Sequence, residues 1–300
     1  KADLVSNMIG EKEFTKLQGF MGADYALKFG EKEEVSKGIR EHYYPRFQGD
    51  ELPQVVEGIL VGIADRLDTL VGCFGVGVIP SGSKDPFALR RAALGIVNII
   101  LNSKLDLSLR ELVNASLDTL AKDGVLKRDR AEVEKEVMEF FKQRLINVFS
   151  EKMDRDIVAA VLEVQSEDAM DAFTRMQALK AFLTQEGAKD LLDLAKRVGN
   201  ISKEAKSREV NVTLFQQEEE KELYHYTEKT KMEIESLVSD KNYAGYLAAV
   251  LASKEIVTKY FNAVKVMDEN VEVQNNRISQ LGLLSSLYQK HADLSVLEER

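Results

Sequence analysis

The sequence has few of the residues that mark secreted, metal-binding or membrane proteins. Among 300 residues it has one cysteine, Cys73, and no tryptophan. A single cysteine excludes an internal disulfide and any metal site built on several cysteines. No apolar run approaches the roughly 18 residues needed to cross a bilayer, and residues 1–10 lack the pattern of a secretory signal. We therefore expect a cytoplasmic protein with no membrane partner, in which Cys73 is buried as a small hydrophobe.

Positive charge is also scarce. The chain has 50 acidic and 41 basic residues, which gives a formal net charge of −9. A general nucleic-acid binder neutralises many phosphates with Lys and Arg, so this balance argues against such a protein and against DNA as a partner. Any contact with RNA must be local. With 44% hydrophobic and 30% charged residues, the chain can nevertheless bury a substantial core.

Proline is confined to the first third of the chain, at positions 45, 53, 80 and 86. Because proline is the strongest helix breaker, the remaining two thirds favour long helices, and apolar periodicity predicts an all-α fold, or nearly so. The stretch 54–74 is apolar on nearly all sides and predicts a central, buried helix. The predicted helices are 14–27, 34–44, 54–74, 87–102, 109–122, 129–149, 155–164, 169–183, 188–198, 218–237 and 243–261.

Two domains are expected, residues 1–150 and 151–300, with the boundary in the charged connector between 149 and 168. Gly199 suits the position just past a helix end, so we predict a polar loop over 199–215. The first residue is Lys rather than Met and falls inside a stretch, 1–10, that reads as the end of a helix. We therefore expect this sequence to be part of a longer chain.

A series of sequence words extends over nearly all 300 residues. The longest is SGSKDPFALRRAA at 81–93, and the others are KADL at 1–4, LQG at 17–19, MG at 21–22, YPR at 44–46, GD at 49–50, ADRLDTLVG at 64–72, KRV at 196–198, NI at 200–201, FNAVKVM at 261–267, NR at 276–277 and ADLS at 292–295. Read together and in order, they resemble the β subunit of the bacterial two-subunit glycyl-tRNA synthetase, and the long word at 81–93 makes the resemblance specific.

The resemblance implies an N-terminally truncated, HD-like helical domain at 1–150. It implies a DALR-like anticodon-binding bundle at 151–300, similar to that of arginyl-tRNA synthetase. In such an enzyme a separate α subunit activates glycine with ATP and Mg²⁺ and charges the tRNA, while β holds glycine tRNA in an α2β2 heterotetramer. We therefore expect this segment to have no catalytic residue, no cofactor of its own and no ligase activity alone.

An HD phosphohydrolase would be the enzyme alternative, because such enzymes hold a metal with histidines and aspartates. Asp3 stands where the aspartate of the His-Asp pair would be, but Ala2 precedes it, and Asp65 matches the distant aspartate. The histidines, at 42, 225 and 291, are dispersed. We interpret Asp3 and Asp65 as structural remnants of the HD positions, with no metal bound, buried and paired with bases such as Arg66 or Arg90.

The glycine-rich loop 81–91 carries three candidate phosphate ligands, Lys84, Arg90 and Arg91. They either contact the acceptor arm of the tRNA or serve the fold through helix capping and salt bridges. Residues 42–47, HYYPRF, also have two possible roles. Their aromatic and basic groups either stack on an unpaired nucleotide or close the core before a proline turn.

In the second half, the candidates address unpaired anticodon bases, which in glycine tRNAs include two cytosines. Lys196, Arg197 and Asn200 form the best cluster, with further positive charge at 203, 206 and 208. Arg197 and Asn200 either contact RNA or serve the fold through helix capping and pairing within the chain. Asn276 and Arg277 form a second cluster, in which Arg277 either binds RNA or ties helix ends together. The acidic run 218–222 should point away from tRNA or toward another protein surface. A third functional possibility is a scaffold that docks the α subunit or a second β chain.

Overall fold

The computed structural model describes residues 1–5 and 12–297. Within these ranges the regular structure is helical and no β-sheet forms, which confirms the all-α prediction. The chain divides into two compact units. Unit 1 comprises residues 1–148 and 167–170, and unit 2 comprises residues 149–166 and 171–300. No helix in the described ranges is long and apolar enough to span a membrane.

Unit 1 begins with two 3-10 segments, Ala2–Val5 and Lys12–Leu17. The predicted helix end at 1–10 lies partly outside the described residues. The α-helices that follow are α1 (Phe20–Lys28), α2 (Glu33–Glu41), α3 (Val56–Gly75), α4 (Leu89–Asn102), α5 (Leu109–Lys122) and α6 (Arg130–Ser150). The core of this unit is formed by fully buried side chains from α3 to α6, including Leu70, Ile96, Val113, Val137 and Phe141.

Unit 2 contains α7 (Arg155–Val164), α8 (Ala169–Phe182), α9 (Ala188–Ser202), α10 (Glu218–Ser239), α11 (Tyr243–Ala252), α12 (Lys254–Ala263) and α13 (Val271–Tyr288). Two short 3-10 turns, Val212–Leu214 and Leu294–Val296, lie in the connections. Its core side chains include Ile157, Met176, Leu191, Tyr246 and Leu281, all fully buried. Most of these are apolar residues recurring at helical spacing, which is why the sequence pattern predicts the helices well.

Helix α3 differs from the central, buried helix that was predicted. Its C-terminal half is buried, with Leu70 and Val71 inaccessible to solvent. Its N-terminal half exposes one apolar face, where Val56 is 64% and Leu60 is 56% accessible and Val61 is also exposed. The periodicity was thus interpreted wrongly at this end. Cys73, at the other end of α3, is half-buried rather than buried.

Two helix boundaries in unit 2 also differ from the prediction. Helix α9 continues through Gly199 to Ser202, and Gly199 is buried within it, where an added Cβ would lie 3.4 Å from Ser295 Cβ. The predicted helix over 243–261 is broken at Ser253. The Ser253 hydroxyl donates to the Val250 carbonyl at 2.6 Å and forms a short hydrogen bond with the Tyr288 hydroxyl.

Candidate functional site

The two HD-like aspartates of unit 1 have partners within the fold. The carboxylate of Asp3 is buried and accepts hydrogen bonds from the Gly19 amide at 2.5 Å and from the Tyr43 hydroxyl at 3.1 Å. Gly19 has φ 87°, a conformation that suits glycine, so the amide can point at the carboxylate where α1 begins. Asp3 therefore ties the start of the chain to α1 and to the segment after α2.

Asp65 pairs with Lys1, whose Nζ lies 2.8 Å from its Oδ1. The expected pairing with Arg66 or Arg90 is corrected by the structure, since both arginines hydrogen-bond to backbone carbonyls. The guanidinium of Arg66 donates to the carbonyls of His42 at 2.8 Å and Gly62 at 2.9 Å, among others. Its burial lowers the pKa of Arg66.

His42 also lies in this region, although its position in the sequence did not indicate a link to the two aspartates. It is almost fully buried, its Nδ1 is 2.7 Å from the Ile39 carbonyl, and its ring packs on Tyr43. Burial lowers the pKa of His42, and the nearby Asp65 and Asp3 oppose that shift. Among the described residues, no three His, Cys, Asp or Glu side chains are placed to hold a metal ion. These residues consequently do not fit the metal set of a phosphohydrolase.

The segment 42–47 serves the core at one end and the surface at the other. His42 and Tyr44 are buried, as the core alternative requires. Arg46 and Phe47 lie outside, and the Phe47 ring is exposed. Arg46 is held by Asp50 through two hydrogen bonds of 2.8 and 2.9 Å, and these bonds lower the pKa of Asp50 to about 2.

The stretch 81–91, predicted as a loop, includes the first turn of α4. It lies beside the segment 42–47, since Arg91 Nη1 is 3.4 Å from the Arg46 carbonyl. The carboxylate of Asp85 caps α4, accepting from the Leu89 and Arg90 amides at 2.8 and 3.0 Å. Arg90 is half-buried and donates to the Gly82 carbonyl at 2.8 Å. Lys84 and Arg91 are exposed. Of the three basic candidates, Lys84 and Arg91 present their charge to solvent, whereas Arg90 also closes the loop.

In unit 2 the predicted group of basic and polar residues does not form one site. Arg197 lines one hollow and the three cations at 203, 206 and 208 line another, whereas Lys196 and Asn200 line neither. Arg197 is exposed, and its guanidinium lies 3.9 Å from the centre of the Phe261 ring on α12. Lys196 is half-buried. Asn200 is exposed, and its Oδ1 accepts from Lys203 Nζ at 3.1 Å. Arg197 lines a hollow between α9 and α12, together with Asp190, Asp193, Leu194, Lys254, Glu255, Thr258 and Lys259.

A second hollow, here called the basic hollow, lies between the end of α9 and α13 and has a volume of about 370 Å³. Lys203, Lys206 and Arg208 supply its positive charge and Asp293 its one carboxylate. The other lining residues are Gly199, Ser202, Ala205, Ser207, Gly282, Ser285, Gln289 and Ser295. The prediction treated these three cations as an addition to the Arg197 cluster, but the chain turns after Ser202 and carries them to another face of α9.

Asn276 and Arg277 are both buried, and both bind within unit 2. Arg277 is 2% exposed, and it donates to Glu220 Oε1 at 2.9 Å, Asp268 Oδ2 at 2.7 Å and the Lys265 carbonyl at 3.0 Å. Asn276 exchanges two hydrogen bonds with the backbone of Asn211. This geometry supports the alternative in which Arg277 ties helix ends together.

The partner of Arg277 is unexpected, because Glu220 belongs to the acidic run 218–222. Glu220 is fully buried, and its Oε2 accepts from the Gln216 and Gln217 amides at 2.8 and 2.9 Å. Burial alone would raise the pKa of Glu220, but the bonds from Arg277 and from these amides outweigh it, so the pKa is lowered. The sequence signal was a glutamate in the first turn of α10, where a carboxylate can cap the free amides.

A second buried network in unit 2 was not predicted. Arg175 donates to Asp171 Oδ2 at 2.8 Å, to the Gln165 carbonyl at 2.8 Å and to the His291 carbonyl at 3.1 Å. The Tyr243 hydroxyl donates a short hydrogen bond to the other oxygen of Asp171. The pair at 171 and 175 has the i, i+4 spacing of a helix ion pair, which alone suggests a solvated face rather than a core network.

Two family models match the chain. Residues 171–294, within unit 2, match the model described as a DALR anticodon binding domain. This places unit 2 among the helical modules of that type. Residues 1–163, more than half of the chain, match the model described as glycyl-tRNA synthetase beta subunit. The chain belongs to the glycyl-tRNA synthetase β subunit family, which confirms the resemblance seen in the sequence.

Individual relatives cover almost the whole chain. The glycine–tRNA ligase beta subunits of Trichlorobacter lovleyi and Geotalea daltonii are each 41% identical to it over 297 residues, or 99% of this chain. That of Clostridioides difficile is 36% identical over 296 residues. The match covers 43% of the Trichlorobacter and Geotalea proteins and 42% of the Clostridioides protein. The chain thus spans less than half the length of the relatives it matches.

Proposed function

We propose that this chain is the tRNA-binding part of a glycyl-tRNA synthetase β subunit, and that unit 2 recognises the anticodon loop of glycine tRNA. The observation that carries the binding of RNA by unit 2 is the basic hollow. In a chain of net charge −9, three cations and one carboxylate meet in one cavity of unit 2. RNA-binding surfaces need such local positive charge, because every nucleotide brings a phosphate.

Arg197 is the residue best placed to read a base. The guanidinium of Arg197 lies over the Phe261 ring, 3.9 Å from the ring centre, and this contact uses none of the arginine N–H donors. Its donors can therefore address the carbonyl and ring-nitrogen acceptors that an unpaired cytosine exposes. Asn200 lies three residues further along α9 and is also exposed, although its carbonyl oxygen already accepts from Lys203.

Unit 1 is proposed to contact the acceptor arm. Lys84 is exposed on the loop that leads into α4, and Arg91 is exposed in the first turn of that helix. The nearby residues Phe47 and Phe87 are 58% and 57% exposed. Exposed aromatic rings beside cations can stack on unpaired nucleotides while the cations bind phosphate. Phosphohydrolase activity is not favoured, since the carboxylates at positions 3 and 65 are engaged within the fold.

In the assembled enzyme, a separate α subunit would activate glycine with ATP and Mg²⁺ and charge the tRNA held by β, in an α2β2 tetramer. This chain alone would have no ligase activity. A scaffold role is the second candidate, and one observation favours it. The N-terminal half of α3 presents Val56, Leu60 and Val61 to solvent, an apolar stripe of the kind found at protein interfaces.

The test is binding of this chain to glycine tRNA and to the same tRNA with each anticodon cytosine substituted, at fixed moderate salt. We expect each substitution to cost about 1 to 3 kcal/mol, by analogy with base-specific readout in protein–DNA complexes. Arg197→Ala should remove most of that discrimination, while Lys231→Gln, at an exposed lysine on α10, serves as the matched control. Equal, weak binding to all tRNAs would refute anticodon recognition and favour the scaffold role.

A further inference from the structure

The basic hollow has the chemistry of a phosphate site rather than of a base site. None of its described lining residues is aromatic, so the hollow offers no ring on which a base can stack. Its walls instead carry four serines, of which Ser207 and Ser285 can donate a hydroxyl proton to a phosphate oxygen. The hydroxyls of Ser202 and Ser295 donate to the Gly199 carbonyl and to Asp293. Three cations at its edge complete a set of donors suited to an anion.

The shape of the hollow follows from small residues where two chain segments meet. A Cβ on Gly282 would lie 3.2 Å from Ala205 Cβ, so the segment after α9 passes directly over α13 at this point. Gly199, on the α9 side, similarly lies close to Ser295. Because these positions lack bulky side chains, about 370 Å³ stays open in the hollow. This volume lies within the usual range for sites that take a small group.

The charges of the hollow favour an anion on balance. Lys203, Lys206 and Arg208 oppose the single carboxylate of Asp293. One oxygen of Asp293 already accepts hydrogen bonds from the Ser295 amide at 3.0 Å and hydroxyl at 2.7 Å, which draws that carboxylate toward the 293–295 turn. Lys206 and Arg208 are exposed and follow the end of α9, where their side chains can reach over the cavity.

We propose that the basic hollow binds a phosphodiester of the RNA backbone and thereby sets the position of the RNA without reading its sequence. This role rests on the proposed binding of tRNA by unit 2. It gives Lys206 and Arg208 a function separate from that of Arg197, which lines the other hollow. A side chain that binds a phosphate contributes equally to the affinity for all RNA sequences, whereas a side chain that binds a base contributes to discrimination between sequences.

The experiment measures binding of the chain and its Lys206→Gln and Arg208→Gln variants to glycine tRNA and to a tRNA with one anticodon cytosine substituted, over a series of KCl concentrations. Each variant should bind both tRNAs roughly fivefold more weakly, with the ratio between the tRNAs unchanged. The slope of log affinity against log salt should fall in magnitude by about 0.7 for each lost contact. Lys231→Gln is the matched control, since Lys231 is exposed but does not line the hollow.

Three results would overturn the proposal. The variants could lose the preference for the cytosine, which would make them base readers, or keep the affinity and salt slope of the unaltered chain. Alternatively, inorganic phosphate, titrated by calorimetry, could bind the chain but not the variants while tRNA binding stays unaffected, which would make the hollow a site for a free anion. Failure of anticodon recognition is a separate outcome, because the unaltered chain would then not discriminate between the tRNAs, and the salt slopes would still report on the hollow.

Discussion

His291 is a buried imidazole that should make unit 2 sensitive to acid. The residue is inaccessible to solvent, and within the described residues neither ring nitrogen has a hydrogen-bond partner. Its ring lies 5.0 Å from that of Tyr243 and 5.4 Å from that of Tyr246. Burial, reinforced by the charge of Arg175, lowers the pKa of His291 to about 3. The imidazole is therefore neutral in the folded protein at all but strongly acidic pH.

The sign of the effect follows from proton linkage. An unfolded histidine has a pKa of about 6.5, so below that pH the unfolded state binds a proton that the folded state does not bind. The contribution of His291 to the free energy of unfolding is then constant above a pH of about 6.5 and falls as the pH drops toward about 3. At pH 5, about 1.5 pH units below that value, the loss amounts to about 2 kcal/mol.

The perturbation is His291→Phe, which keeps a ring between the two tyrosines but cannot be protonated. At pH 7.5 we expect the variant to be within about 1 kcal/mol of the unaltered chain, because the neutral imidazole makes no hydrogen bond to the described residues that would be lost. At pH 5 the free energy of unfolding of the variant, relative to that of the unaltered chain, should be about 2 kcal/mol higher than it is at pH 7.5. Urea unfolding followed by circular dichroism at both pH values measures it.

The control is His225→Gln, which replaces an exposed histidine on α10. Measured at the same two pH values, this variant shows how much of any effect comes from replacing a histidine that is not buried. If the difference in unfolding free energy between His291→Phe and the unaltered chain is the same at pH 7.5 and pH 5, then the burial of an uncharged, unpartnered imidazole does not govern acid stability, and the linkage argument is refuted.

Two further predictions concern unit 2. Arg277→Met leaves the buried carboxylate of Glu220 without its cationic partner, so we expect the free energy of unfolding to fall by about 3 to 5 kcal/mol. A loss below about 1 kcal/mol in urea titrations, the size typical of an exposed ion pair, would contradict its structural role. Gly199→Ala should be neutral or stabilising by up to about 1 kcal/mol, because Gly199 lies inside α9 and the nearest atom to an added Cβ is 3.4 Å away. A clear fall in melting temperature would show that this contact cannot accept a methyl group.

The sequence predicted the helix bounds correctly where they depend on residues close together in the chain. Helices α5 and α7 have the predicted bounds, Leu109–Lys122 and Arg155–Val164. The start of α5 is also encoded locally, because the Ser108 hydroxyl accepts from the Glu111 amide. Such a cap involves residues only three positions apart, so a sequence pattern can contain all of it.

The errors occur where the partner is distant in sequence. Gly199 lies near Ser295, and the Ser253 hydroxyl is bonded to that of Tyr288. A local sequence pattern contains neither contact. The same holds for the exposed face of α3, since the sequence shows that the face is apolar but not whether anything in these 300 residues covers it.

The candidate sites follow the same division. Residue type alone suggested both Arg197 and Arg277 as RNA ligands, and it could not distinguish an exposed guanidinium stacked on Phe261 from one buried against Glu220, 57 positions away. Charge density in the sequence also merged Arg197 with the cations at 203, 206 and 208. Because α9 continues to Ser202 before the chain turns, these groups line separate hollows, and the two can be tested separately. If Arg197→Ala alters discrimination between anticodons while Lys206→Gln alters only affinity and salt dependence, the separation seen in the structure is also a separation of roles.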